Sequence, residues 1–216
     1  MLKHYSDNGV YVRSMASRNA SGGLSLASSE AADVLDSVGF DYIIFETLGV
    51  GQVEIDVMNE ADTVAVVLVP ESGDDIQMMK SGLIEIADLY IINKSDRQGA
   101  ERLDVALKNM LETNPMHKIE KWPIPILKTN AINGEGIDLF MKLVQDHYSY
   151  LKDYDCLKEN VDDRYERQVK GIVRNCYETE LWDNEANSNL LKKELAKIVK
   201  KRKSPSELAD IIIKDK

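Results

Sequence analysis

Cysteine is nearly absent from this chain. Its two thiols, Cys156 and Cys176, are too few and too far apart for a metal cluster or a disulfide framework. We read both as reduced thiols on helices. No apolar run reaches the length of a membrane span, and the N-terminus lacks the charged, apolar and small-residue order of a signal segment. The expected compartment is therefore the cytoplasm, with no membrane partner. Positive charge is in deficit as well: the formal net charge of -10 disfavours a general grip on nucleic acid. Internal repeats and low-complexity tracts are lacking. What remains is a soluble globular balance, 44% hydrophobic and 30% charged, in 216 residues, enough for one substantial domain and an appendage.

The chain is organised around Asp41-Tyr-Ile-Ile-Phe-Glu-Thr-Leu-Gly-Val-Gly-Gln52. Tyr42 to Phe45 is apolar, without polar alternation and too short for a helix, which predicts a central strand buried on both faces of a parallel sheet. The same pattern predicts strands at Thr63 to Val69, stopped by Pro70, at Leu89 to Ile92, and at Pro125 to Lys128. Val10 to Ser14 is expected to be the first strand. Helices are expected from Leu24 to Val38, closed by Gly39, and over about 76–87, 100–112 and 137–151. Strands alternating with helices imply an α/β fold with a parallel sheet covered on both faces, over residues 1–154. From 155 to 216 the apolar β-runs vanish. Three helices are expected there, Asp162 to Trp182, Asn187 to Lys201 and Pro205 to Lys214, the last capped by Ser204. The basic run Lys200 to Lys203 is expected to be the solvated end of the second of these helices.

Three strand ends carry polar loops suited to chemistry. In open parallel sheets ligands sit beyond the carboxyl ends of the strands. Glu46 and Thr47 end the first strand, with Gly49 and Gly51 following. Asn93-Lys-Ser-Asp96 ends another. A carboxylate at Asp96 can accept from both donors on the Watson–Crick edge of guanine, and adenine offers no such pair. Lys94 can lay its stem over the base and Asn93 can brace the loops. The plain alternative for this string is an ordinary turn. Thr129-Asn130-Ala131 ends the last strand, ahead of Gly134-Glu-Gly136, where a backbone N–H can reach the guanine oxygen.

The order of these elements is that of the later nucleotide loops of G proteins. Phe45-Glu-Thr-Leu-Gly-Val-Gly-Gln52-Val-Glu54 closely resembles the E-T-V-G-V-G-Q-x-E signature of the MeaB/ArgK-type GTPases, accessory proteins of methylmalonyl-CoA mutase. Arg13-Ser-Met-Ala-Ser-Arg18 with Gly22-Gly-Leu24, Glu85-Ile-Ala-Asp88 and Ser204-Pro-Ser-Glu-Leu-Ala-Asp210 are similar to further family segments. The resemblance implies a P-loop G domain followed by a helical dimerisation arm. It implies Glu46 as magnesium ligand, Gly49 as γ-phosphate sensor with Gln52 beside it, and Glu71 to Gly82 as a switch facing the mutase. Asn93, Lys94, Asp96, Thr129, Asn130 and Ala131 would read guanine of GTP or GDP. A cobalamin-dependent mutase and a second copy of the chain are the implied partners.

One family element is missing from the 216 residues. No G-x-x-x-x-G-K-[ST] phosphate loop occurs, and Gly22-Gly23 is not followed by Lys-Ser. The family's metal-binding aspartates ahead of the matched region are also missing. The expectation is a G domain incomplete at its N-terminus, without GTP turnover of its own and with apolar strand surface left beside the central strand. Two alternatives stand beside it: a catalytically dead dimerising module, and a metal-delivering GTPase relative. The second is weakened because His4, His117 and His147 form no Cys/His cluster.

Overall fold

The computed structural model describes residues 7–15, 23–47, 59–70, 87–113 and 122–214. The chain divides into two compact units, Met1–Arg164 and Tyr165–Lys216. In the first, three strands form a parallel sheet in the order β1 (Ala65–Leu68), β2 (Leu89–Ile92), β3 (Ile126–Lys128). Ala65 lies opposite Leu89 and Leu68 opposite Ile92, while Tyr90 lies opposite Ile126 and Ile92 opposite Lys128. All four residues of β2 are buried, as its unbroken apolar run predicts for a strand paired on both sides.

The crossover from β2 to β3 contains helix α2 (Ala100–Thr113). Its Ala100, Leu103 and Leu107, at helical spacing, meet Leu68, Tyr90 and Ile92, which alternate to one face of the sheet. Each fully buried leucine or isoleucine there contributes roughly 1.5–3 kcal/mol of burial free energy. Helix α3 (Ile137–Asp153) follows β3 and buries His147 and Leu151. Helix α1 (Gly23–Ser37) precedes the sheet. Gly39 ends it at φ 89, with its N–H on Asp36 O at 2.9 Å and the Phe40 N–H on Leu35 O at 3.2 Å. The expected apolar stripe of α1 is not fully covered, since Val34 and Val38 are exposed.

Two expected strands do not form. Residues 10–14 and 42–45 are irregular, and Ile44 is 86% exposed where a doubly buried strand was expected. The physical reason is pairing. A strand is held by a neighbour's N–H and C=O groups, and neither segment has a ladder partner among the described residues. Among the described residues β1 is an edge strand, and Val67, which alternates to the sheet face opposite α2, is exposed instead of buried. The helix expected over 76–87 lies outside the described residues apart from Ala87, which is buried and irregular.

In the C-terminal part, α4 (Cys156–Asp183) is longer than expected, and the boundary between the units falls within it. Helix α5 (Glu185–Leu195) begins at Asn184, whose side chain accepts the Ala186 N–H at 2.9 Å. It ends well before Lys201, and a 3-10 turn over Val199–Lys201 follows. The early stop has identifiable causes. Arg202 caps the freed carbonyls of Lys197 and Leu195 at 3.0 and 2.8 Å, and buried Glu194 takes the Lys203 N–H at 2.6 Å. Lys200 to Lys203 is therefore a pinned turn rather than the solvated end of a helix. Helix α6 (Pro205–Lys214) starts as expected, with Ser204 Oγ accepting the Glu207 N–H at 3.2 Å.

Candidate functional site

Beyond the carboxyl ends of β2 and β3, two loops are tied into one unit. The Asn93 N–H extends the ladder to Leu68 O at 2.8 Å, and the Thr129 N–H reaches Ile92 O at 2.9 Å. Asn93 Oδ1 then accepts across the gap from Thr129 Oγ1 at 3.3 Å and from the Ala131 N–H at 3.2 Å. The Ser95 N–H returns to Thr129 O at 3.1 Å. Asn130 Nδ2 donates to Asp96 Oδ1 at 2.9 Å, while its own Oδ1 accepts the Ile132 N–H at 3.2 Å. Six residues singled out from sequence, Asn93, Lys94, Asp96, Thr129, Asn130 and Ala131, thus come together.

Local backbone geometry sets this arrangement. Lys94 has φ 54, a left-handed conformation that costs a non-glycine residue roughly 1–2 kcal/mol. The Arg97 N–H closes the turn on Lys94 O at 3.0 Å. In the second loop, Asn130 and Glu135 exchange N–H···O bonds at 3.0 and 3.2 Å. That folds the tip back so that Gly136, at φ 80, can start α3. A Cβ on Gly136 would stand 2.6 Å from Lys128 O and 3.0 Å from Thr129 Cγ2, so only glycine fits. The sequence signalled a turn at Gly134-Glu-Gly136, but not this close approach to the β3 backbone. Thr129 is buried and Asp96 is exposed, with its Oδ1 taking the Asn130 amide.

The flank of the site is electrostatically tied. Lys128 lies 2.7 Å from Glu101 and 3.3 Å from Asp104, and Lys108 lies 2.9 Å from Asp104. Burial works against the Asp104 charge, but the hydrogen bonds from Lys108 and Lys128 outweigh it and hold its carboxyl below the usual range. At the opposite ends of the strands, His147 joins Thr63 Oγ1 to its Nδ1 at 2.9 Å and Asp88 Oδ1 to its Nε2 at 3.5 Å. Trp122 packs on His147 with ring centroids 4.8 Å apart and donates its indole N–H to Asp88 O at 2.9 Å. No sequence signal marked this cluster, because its members lie on four separate segments.

The remaining expected site residues are not joined to the base-side loops. Glu46 is exposed at the end of the irregular segment, and no described hydrogen bond or ion pair links it to Asn93 or Asp96. Gly49, Gln52 and the segment 71–82 lie outside the described residues. Among the described residues no group of three or more His, Cys, Asp or Glu is placed to hold a metal. A single exposed carboxylate, Glu46, does not by itself make a magnesium site. Among the described residues no helix is long and apolar enough to cross a membrane.

A parallel α/β sheet with two cross-braced loops at its strand ends is the fold of the P-loop GTPase class. Its likeness to the crystal structure of a LAO/AO transport system kinase supports that fold, with a TM-score of 0.64, 21% identity, and 89% of this chain and 63% of that one covered. The family model described as methylmalonyl Co-A mutase-associated GTPase MeaB matches residues 1–186, and this chain belongs to that family. A "Putative GTPase" of Pyrococcus horikoshii is 36% identical over 215 residues, 99% of this chain and 67% of that protein. GTPase ArgK of Escherichia coli is 33% identical over 133 residues, 60% of this chain and 40% of that protein. The chain thus spans about two thirds or less of the length of the relatives it matches.

Proposed function

We propose that this chain supplies the base-reading side of a guanine-nucleotide site in a GTPase that serves a cobalamin-dependent mutase of the methylmalonyl-CoA type. The observation that carries the nucleotide reading is the Asn93 brace. It ties the Asp96 loop to the Ala131 loop at the strand ends, where a base would be gripped from two sides. Asp96 accepts from the two donors of guanine, Lys94 covers the base, and the Thr129–Ala131 loop offers an N–H to the guanine oxygen. Against adenine the carboxylate would face an acceptor and lose both bonds, a discrimination on the order of 10⁴. Glu46 would serve magnesium, and Gly49 and Gln52 the γ-phosphate. Magnesium would supply charge neutralisation at the phosphates.

The phosphate cradle is the part this sequence lacks, and its backbone donors and lysine stabilise the transferring phosphoryl group. The 216 residues alone are therefore expected to hydrolyse GTP no faster than background. Magnesium-dependent turnover that disappears in Glu46→Ala would refute this. The base-reading assignment is tested by competition binding of GDP, ADP and XDP to the chain completed, by fusion or as a second polypeptide, with a family phosphate-loop segment. GDP should win over ADP, and Asp96→Asn should shift preference toward XDP. Equal affinity for GDP and ADP overturns the assignment.

The mutase partner and a homodimer are inferred from the family description and from the helical arm. Leu195, Ile198 and Val199 are exposed there, with Leu190 and Leu191 half-buried. Light scattering on wild type and Leu195→Asp, and co-elution with the mutase in the presence of GDP or GTP, are the corresponding measurements.

A further inference from the structure

The side chain of Asn130 bridges the two base-side loops in one fixed sense. Its Nδ2 donates to Asp96 Oδ1 at 2.9 Å, and its own Oδ1 accepts the Ile132 N–H at 3.2 Å. Turning the amide over would set its oxygen against an ionised carboxylate, which only accepts, and its NH2 against a backbone N–H. The backbone here is held separately. Asn130 exchanges N–H···O bonds with Glu135 at 3.0 and 3.2 Å, and the Thr129 N–H is on Ile92 O at 2.9 Å. Asn93 Oδ1 ties the loops together independently, through Thr129 Oγ1 and the Ala131 N–H. The loop therefore keeps its course without the Asn130 side chain. What that side chain adds is a hold on one particular oxygen of Asp96.

We infer that Asn130 is a positioning residue that sets which Asp96 oxygen meets which donor of a guanine base, and so sharpens discrimination among purine nucleotides. Granted the guanine reading proposed for these loops, on which this rests, the base edge presents its carbonyl oxygen, ring N–H and exocyclic amine in that order. The loop carrying Ala131 takes the carbonyl oxygen. The Asp96 oxygen that Asn130 ties to this loop then meets the neighbouring ring N–H, and the other oxygen takes the exocyclic amine. An ionised carboxylate has about four acceptor sites, so Oδ1 can hold Asn130 and the ring N–H together. Without Asn130 the exposed carboxylate is free to rotate in water, and base binding has to order it. The role has a distinctive signature when Asp96 is replaced by asparagine. The new amide must turn its oxygen toward Asn130, so it offers an acceptor to the ring N–H and a donor to the next position. That pattern fits xanthine, which carries a carbonyl there.

The test is competition binding of GDP, ADP and XDP to the chain completed with a family phosphate-loop segment, as wild type, Asn130→Asp, Asp96→Asn and the double variant. Asn130→Asp keeps the side-chain shape and the acceptor for the Ile132 N–H, but sets a carboxylate where the donor to Asp96 stood. GDP affinity should fall about tenfold or more, the GDP-over-ADP ratio should shrink with it, and circular dichroism should not change. Adding Asn130→Asp to Asp96→Asn should cut the preference for XDP over GDP by about tenfold, because the carboxylate turns the new amide over. A residue that only supported the loop would weaken all nucleotides alike, so an unchanged XDP-to-GDP ratio overturns the inference. Asn130→Ala adds no charge and serves as a second arm; GDP affinity equal to wild type there overturns it as well. Equal affinity of the wild type for GDP and ADP would instead bring down the guanine reading itself. A wild type that prefers GDP, with ratios insensitive to residue 130, would remove only the role of Asn130.

Discussion

Two stretches of this chain carry nearly the same message and meet different fates. Tyr42–Phe45 followed by Glu46-Thr47 and Leu89–Ile92 followed by Asn93-Lys94 are both short apolar runs that end in polar, ligand-capable residues. The second is a fully buried strand flanked on both sides, and its polar loop is braced to a neighbouring loop. The first is irregular, with Ile44 exposed and Glu46 in solvent. Apolarity qualifies a segment to be a central strand. A partner on each side makes it one.

The comparison is broken most directly by truncating the matched side chains. Ile92→Ala should destabilise the chain by about 2–5 kcal/mol, since Ile92 is fully buried. Ile44→Ala should change stability by less than about 0.5 kcal/mol, as exposed positions do. Urea unfolding of the two variants measures both, and equal losses would mean that 42–45 is packed after all. If the missing pairing is supplied with a phosphate-loop segment, the Ile44 variant should become costly too.

A second way in is the loop that the paired strand supports. Gly136→Ala places a methyl 2.6 Å from Lys128 O at a left-handed φ. It should cost about 2–3 kcal/mol, read as a lower urea midpoint with unchanged m-value. An alanine variant as stable as wild type would show that the tip relaxes freely.

Asn93→Ala removes the brace and leaves the Ala131 N–H and Thr129 hydroxyl without their shared acceptor. The expected loss is about 1–2 kcal/mol, with faster amide exchange confined to Ala131 and its neighbours. Protection factors identical to wild type would count against the brace.

The smallest effect concerns how the starts of β1 and β2 are held. His147 spans Thr63 and Asp88, and burial holds its imidazole below the usual range, against the opposing pull of Asp62. A histidine with a lowered folded-state pKa contributes fully above its unfolded value of about 6.5, and that contribution is lost as pH falls below it. Stability should therefore decline on acidification from pH ~6.5, and His147→Gln should flatten that part of the profile. An identical slope in both would dissociate His147 from the acid sensitivity. Arg164 and the carboxylates of Asp62 and Asp88 face the same cluster, and His147→Gln leaves them in place.

What was legible in sequence followed local rules. Leu89–Ile92 and α6 with its Ser204 cap appear where hydrophobic pattern and start signals put them, α2 and α3 within a residue or two, and Gly39 closes α1 as a left-handed glycine. The strand-end strings Asn93 to Asp96 and Thr129 to Ala131 were also readable, because they combine a local motif with a buried strand before it. Each depends on interactions a few residues apart, and a sequence states those directly. Only the tertiary structure decided that Tyr42–Phe45 has no ladder partner among the described residues, that Gly136 must lie against the Lys128 carbonyl, and that α5 stops at Leu195 to form a pinned basic turn. Those outcomes rest on partners brought together by folding: a ladder neighbour, a backbone oxygen across a loop, and a buried carboxylate gathering a distant N–H.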